Sequence, residues 1–252
     1  MTATTLPAPD FLKVEAIFAG TWGIIVRRPL AYLALSLAYG VGPIFLIWAL
    51  TGVSPEALGT ASVPVRAASM ALFVLGDGLL SAGLARLTFD GKASLNDCFK
   101  APLGQFGTFL ALAVIIDTPP LALNLFSGWL SHETSVGLAF YALRFAVGTT
   151  IAAVWTGAAP AALAEELSVR AALGRAAALT RGHRLRVGLF FAAFFVLKVL
   201  GPFLLANWGL NALAAQWPLA VAVFDAVIWN LLACALGVSS ALIYQELKRL
   251  QS

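Results

Sequence analysis

The chain has 252 residues, 60% of them hydrophobic and only 11% charged, with a mean hydropathy of +0.89. That balance, with uncharged runs such as Pro29 to Pro55, excludes a soluble globular domain and points to a polytopic membrane protein. The net charge of +4 and pI near 9.3 fit excess Lys and Arg on the inner side of a membrane. Nucleic acid is excluded as a partner, because the basic segments lack interleaved aromatic and base-reading side chains.

Taken in order, residues 1–9 form a Thr-, Ala- and Pro-rich tail expected to be disordered. The tail has no basic n-region, so no secretory signal is expected there, and 10–252 reads as a single membrane domain. From Asp10 to Arg28, Phe11, Val14, Phe18, Trp22 and Ile25 recur at helical spacing, which predicts an amphipathic helix lying in the interface. Six apolar stretches, each long enough for a ~30 Å hydrocarbon core, then predict spans. They run near Pro29 to Leu50, Pro64 to Phe89, Pro102 to Leu125, Gly137 to Ala164, Val187 to Asn207 and Pro218 to Gln245. Cys98 and Cys234 lie in dissimilar settings, and no disulfide between them is expected.

The longest polar segment is Ser168 to Arg186, between spans four and five. It holds Arg170, Arg175, Arg181, Arg184 and Arg186, with His183 and no acid. Val169, Ala172, Leu173, Ala176 and Thr180 make one apolar stripe on a helix for which Ser168 is the N-cap.

Thirteen of the sixteen Lys and Arg fall on one side of the spans: Lys13, Arg27, Arg28, Arg86, Lys92, Lys100, the five arginines just named, Lys248 and Arg249. The loops on the other side, Thr51 to Val63, Phe126 to Val136 and Trp208 to Trp217, carry none. By the positive-inside rule both termini are cytoplasmic. Trp129, Trp208 and Trp217 mark the outer interface, and Trp22 the inner one.

A repeat with a period near 80 runs through the chain. Gly78, Gly157 and Gly237 begin matching ends of the even spans, and interfacial helices start near Phe11, Ser94 and Ser168. The expected units are about 10–90, 91–167 and 168–248, each an interfacial helix, a span, an outer loop and a span. Ser94 to Asp97 fits a capping box, and Ser168 holds the same place in its unit.

Charges within spans are costly unless paired, by about 3 kcal/mol or more at the bilayer centre. Asp77, Asp117 and Lys198 fall near mid-span, with Arg144 and Asp225 further out. Depth allows Arg144 to pair with Asp225, and Lys198 with Asp77 or Asp117. Such groups either fix helix registry as ion pairs or form a proton or substrate pathway. Pro43, Pro119, Pro120 and Pro202 lie at matching depth in the odd spans and are candidate helix breaks. A threefold arrangement invites comparison with the mitochondrial carriers, but the acid and base that follow proline there are absent.

Catalytic and metal-binding patterns are lacking. The two histidines, His132 and His183, lie in an outer loop and in the basic linker, and no metal or phosphate motif occurs. No cofactor is expected, and the chain is not expected to be an enzyme.

Four pieces carry a family resemblance: VEAIFAGTWGIIVRRP, FDGKASLNDCF, EELSVRAALGRAAALTRGHRLRV and ALIYQELKRL. Together they resemble the YciC-like bacterial inner-membrane proteins and the integral-membrane domain fused to some glycerophosphoryl diester phosphodiesterases. The resemblance implies six spans and an envelope-related role. It carries over no catalytic residue, since in the fused proteins the chemistry belongs to a separate soluble domain.

The sequence thus predicts an all-α membrane protein of six spans with interfacial helices on the cytoplasmic side. Its expected function is that of a non-catalytic scaffold or accessory protein. Arg27, Arg28, Arg170, Arg175, Arg181, Arg184 and Arg186 would meet anionic lipid headgroups, a membrane-protein partner or a second copy of the chain. The alternative is a small transporter or lipid-translocating protein built on Asp77, Asp117 and Lys198.

Overall fold

In the computed structural model, the residues described are 12–53, 61–127, 135–205 and 218–251. Within the helices, side chains at 44, 124–127, 135–138, 141, 198–205 and 218–230 are outside the description. The described residues are helical, with turns between helices and no strand. The expected tail, most of the outer loops, with Trp129, His132, Trp208 and Trp217, and the ring of Phe11 lie outside the described residues.

Helix α1 (Val14–Arg27) is followed by α2 (Pro29–Leu35), which starts on proline at its first position, where no donor is lost. A π-helical segment (Ser36–Val41) leads into α3 (Gly42–Thr51), which ends at Gly52 with a left-handed φ of 69°. Next come α4 (Val63–Phe89), α5 (Leu95–Gly104), α6 (Phe106–Ser127) and α7 (Ser135–Trp155). After α8 (Ala158–Glu165) and α9 (Val169–Leu179), the chain closes with α10 (Arg184–Leu205) and α11 (Pro218–Gln251).

Four helical stretches are long and apolar enough to cross a membrane: Pro29–Thr51, Val63–Phe89, Phe106–Leu123 and Ala142–Glu165. They coincide with the first four expected spans. Side chains of α3, α6, α7 and α10, including Phe45, Trp48, Ile115, Leu143 and Leu197, are exposed, as an apolar solvent requires.

The helices close into a ring. α4, α8 and α11 touch one another pairwise at the centre. Around them, the segment from α2 to α3 packs between α11 and α4, α6 packs on α4, α7 and α8, and α10 packs on α7 and α11. The three short helices sit at one end of this bundle: α1 on α11, α5 on α4, and α9 on α8. Buried Tyr32, Leu35, Leu84, Leu87, Val238, Ile243 and Leu247 join one core cluster, and a second forms around Phe109, Leu112, Ala172 and Ala176. Hydrophobic burial does not drive helices together in lipid, so close approach must come from small residues. A Cβ on Gly78 would stand 2.8 Å from the Phe109 carbonyl oxygen, and one on Gly237 2.5 Å from the Leu84 side chain.

The helix interruptions follow proline chemistry at only some of the expected positions. Pro43 has no N–H to return to the Tyr39 carbonyl, and the chain before it is π-helical. Helix α6 runs on through Pro119 and Pro120, and α10 through Pro202, so these prolines remove hydrogen bonds without ending a helix. The second interruption is one the sequence reading missed. Span four breaks at Thr156 and Gly157, where Pro160 cannot donate to the Thr156 carbonyl, and the helix restarts with Ala161 donating to Gly157 at 2.9 Å.

Two local expectations sharpen. Of the stripe expected on α1, Ile25 is buried and Val14 and Trp22 pack partly against the core, but Phe18 is 45% exposed, and Ile17 and Thr21 complete the buried face. The cause is a buried polar seam: the Thr21 hydroxyl lies 2.9 Å from that of Ser239 and donates to Ile17 O, which turns this face inward. Cys98, expected in a polar linker, is fully buried on α5, and Cys234 is buried with its thiol 3.4 Å from Tyr32 O. Both are free thiols.

The capping box of α5 is complete: Asp97 N–H donates to Ser94 Oγ at 3.1 Å, and Ser94 N–H to Asp97 Oδ2 at 3.2 Å. The Ser94 hydroxyl also donates to Asp97 Oδ2 at 2.7 Å, and this bond, with that from the Ser94 N–H, holds the Asp97 carboxyl below its usual range. A depressed carboxyl contributes stability above its unfolded pKa, and that contribution is lost as pH falls through the folded value. Ser94→Ala is expected to cost about 1 kcal/mol. Thermal melts should show the deficit at neutral pH and see it shrink on acidification; a deficit that stays constant to low pH would remove the box from the account.

Candidate functional site

The end of the bundle that carries α1, α5, α9 and the end of α11 is the basic face. On α9 the expected stripe is the packed one: Ala172, Ala176 and Thr180 are buried, joined by Leu179. Ser168 occupies the N-cap with extended backbone, though its side chain makes no capping bond. The Thr180 hydroxyl reaches Val154 O at 3.2 Å and Ala176 O at 3.0 Å, which ties the end of α9 to α7.

Burying that stripe turns the arginines outward, but they divide into two groups. Arg28, Arg175 and Arg186 are committed to the fold. Arg28 donates to Gly91 O and Ala93 O at 2.8 and 2.9 Å, which clamps the loop before α5. Arg186 donates to Leu12 O at 3.2 Å across 174 residues of chain. Arg175 pairs with Glu165 at 3.2 Å. By contrast Arg27, Arg170 and Arg181 are exposed, with no side-chain bond among the described residues. Arg184 is also exposed and makes one long contact, 3.4 Å, to Ala177 O.

Glu165, to which the sequence reading gave no role, organises this face. Its Oε1 accepts the Tyr244 hydroxyl at 2.6 Å and the Lys248 ammonium at 3.1 Å, while Arg175 reaches it from α9. The Glu165 hydrogen bond holds the Lys248 ammonium above its usual range, and the Tyr244 hydroxyl adds to that. Glu166, next in the chain, adopts φ 51° and donates to Ala162 O, which ends α8 and sets the carboxylate of Glu165 toward α11. Gln251 completes the tie by donating to Ala178 O at 3.3 Å. A sequence signal existed only in part: two acids at the end of span four, beside an otherwise acid-free basic linker.

Hydroxyls form a second layer just inside the basic face, with Thr156 Oγ1 2.9 Å from Ser240 Oγ at the break in span four. Deeper in the bundle, Asp77, Asp117 and Arg144 are partly buried on α4, α6 and α7, three helices in sequential contact. Each takes part in an interaction. The close approach of Gly78 to Phe109 and Ala113 sets Asp77 about one helical turn inward of Asp117. The side chains of Lys198, Asp225 and Pro202 lie outside the described residues, and with them the expected pairs of Arg144 with Asp225 and of Lys198 with Asp77 or Asp117. Among the described residues, no three His, Cys, Asp or Glu gather as a metal site.

What this face can do chemically is bind anions. It presents charged forks that are not consumed by the fold, beside exposed apolar side chains: Val26 and Leu30 next to Arg27, and Leu185 and Leu189 after Arg181. In comparisons with protein-family models, curated proteins and solved structures, the chain matches none.

Proposed function

We propose that this is a six-span bacterial inner-membrane protein with cytoplasmic termini, a non-catalytic scaffold whose basic face engages anionic lipid headgroups. The observation that carries the reading is the division among the arginines. Arg27, Arg170 and Arg181 keep exposed head groups, and exposed Val26, Leu30, Leu185 and Leu189 lie close to Arg27 and Arg181 in the chain, an arrangement suited to a phosphate layer above acyl chains. Helices α10 and α11, of 22 and 34 residues, serve as spans five and six in this reading.

The proposed plan is three copies of one unit. In support, each short helix packs on the last span of the unit before it in cyclic order, α1 on α11, α5 on α4 and α9 on α8. The glycine that begins each matching stretch also meets another unit: Gly78 at Phe109, Gly157 at Tyr244 and Gly237 at Leu84. Six spans are also what resemblance to the YciC-like proteins implies, and under the threefold plan the three short helices form a collar on the cytoplasmic surface.

The test is lipid enrichment. Full-length protein in nanodiscs of mixed phosphatidylglycerol and phosphatidylcholine is examined by native mass spectrometry for lipid that stays bound. Enrichment of the anionic lipid well above its bulk fraction is expected, and retention in bulk proportion would end the reading.

A further inference from the structure

The turn between α9 and α10 combines features that the rest of the basic face does not. Gly182 takes φ 87°, and a Cβ there would meet nothing within 4 Å, so the backbone of the turn is open. Arg181 and Arg184 flank that glycine, both exposed. Val187 N–H donates to His183 O at 3.0 Å, and among the described residues the N–H groups of Arg184 and Leu185 precede that bond. Immediately beyond, Leu185 and Leu189 lie one turn apart on α10 and are 76% and 62% exposed.

Charge around the turn is one-sided. From Ser168 to Arg186 there is no acid, and at the far end of α9 Glu165 is taken up by Arg175, Tyr244 and Lys248. The carbonyls that close α9 are met by other donors, Ala177 O by Arg184 and Ala178 O by Gln251. What remains exposed is therefore two arginines, Arg184 with one long contact to Ala177 O, at the start of the helix that carries Leu185 and Leu189.

We propose that this turn is a discrete site for one anionic phospholipid. The phosphate is held by Arg181 and Arg184, and an acyl chain runs along Leu185 and Leu189. The inference rests on the lipid reading above and narrows it from a surface to a place. An arginine fork matches a phosphate better than a lysine does, since it offers paired donors in a fixed plane. The leucines argue for a lipid over a free anion, because inorganic phosphate leaves them unused.

The experiment uses the full chain in the same mixed nanodiscs and reads phosphatidylglycerol retained per protein. At about 1 kcal/mol per basic residue near the surface, Arg181→Ala should lower retention about fivefold and Arg181→Ala with Arg184→Ala about thirtyfold. The single variant breaks no side-chain hydrogen bond among the described residues, so it reports even if loss of the Arg184 contact to Ala177 O disturbs the fold. Lys92→Ala with Lys100→Ala removes equal charge at exposed lysines outside the proposed lipid-contact set and should leave retention unchanged. If that control loses as much as the turn variants, or if the turn variants retain lipid like the native chain, the site is overturned while the broad reading stands. Displacement of the lipid by inorganic phosphate would make it a free-anion site and overturn the lipid assignment. No phosphatidylglycerol preference in the native protein removes the site and the broad reading together.

Discussion

Gly76→Ala is expected to be the most damaging single methyl among the described glycines. A Cβ at that position would collide with the Tyr39 carbonyl oxygen and stand 3.0 Å from Pro43 Cγ. Because the collision is with backbone, no rotamer relieves it, and α4 must move away from the segment before α3. The contact has a cause in the sequence. Pro43 leaves the Tyr39 carbonyl without its ordinary helical donor, and a glycine on the neighbouring helix lets α4 close over that place. Overpacking of this kind costs roughly 1 to 3 kcal/mol, which for a chain of this size lowers the melting temperature by about 5 °C. Gly107→Ala on α6 is the control, since a Cβ there meets nothing within 4 Å, and helix propensity predicts no loss. Melting of detergent-solubilised protein, followed by size-exclusion chromatography, measures both. Equal melting temperatures for the two variants would remove the close approach from the account.

The second large effect is expected at Glu165. Glu165→Ala deprives the Tyr244 hydroxyl, the Lys248 ammonium and the Arg175 guanidinium of their shared acceptor at once. Lys248 is half exposed, so its pair contributes little, and the 2.6 Å bond from Tyr244 carries most of the effect. The expected loss is roughly 2 kcal/mol, from one strong charge-assisted hydrogen bond plus the weaker pairs. Tyr244→Phe should account for much of it, and the double variant should lose less than the sum of the two. Amide exchange should also quicken at the end of α9 and in the last two turns of α11, which Glu165 and Gln251 join. Unchanged exchange there, with a strictly additive double variant, would show that the carboxylate does not tie these elements.

Much of the architecture could be read from residues alone because it rests on local quantities. Bilayer thickness sets span length, so the first four spans were legible as apolar runs and stand where hydropathy puts them. The stripe on α9 follows from helical period, and the capping box at Ser94 from a four-residue pattern. Proline positions were legible but not their consequences. Whether a proline interrupts a helix depends on what packs beside it, as α4 does at Gly76 beside Pro43, and that is decided by tertiary contact.

The candidate site was legible as a stretch and not as a set of atoms. Seven arginines in two segments read alike in the sequence, all outward and basic. Only packing separates Arg28 and Arg186, spent on carbonyls far along the chain, from Arg27, Arg170 and Arg181, whose charges stay exposed. Glu165 escaped notice for the same reason, since its partners Tyr244 and Lys248 lie about 80 residues away.

By itself, then, the sequence determined the class of solvent, the helical content, the first four spans and the segment where basic charge collects, because hydropathy and helical period act over neighbouring residues. The tertiary structure decided where helices break, which glycines let backbones touch, and which arginines remain available. Those depend on which helix meets which and at what register, and the ring of α4, α8 and α11 is closed by contacts between distant parts of the chain.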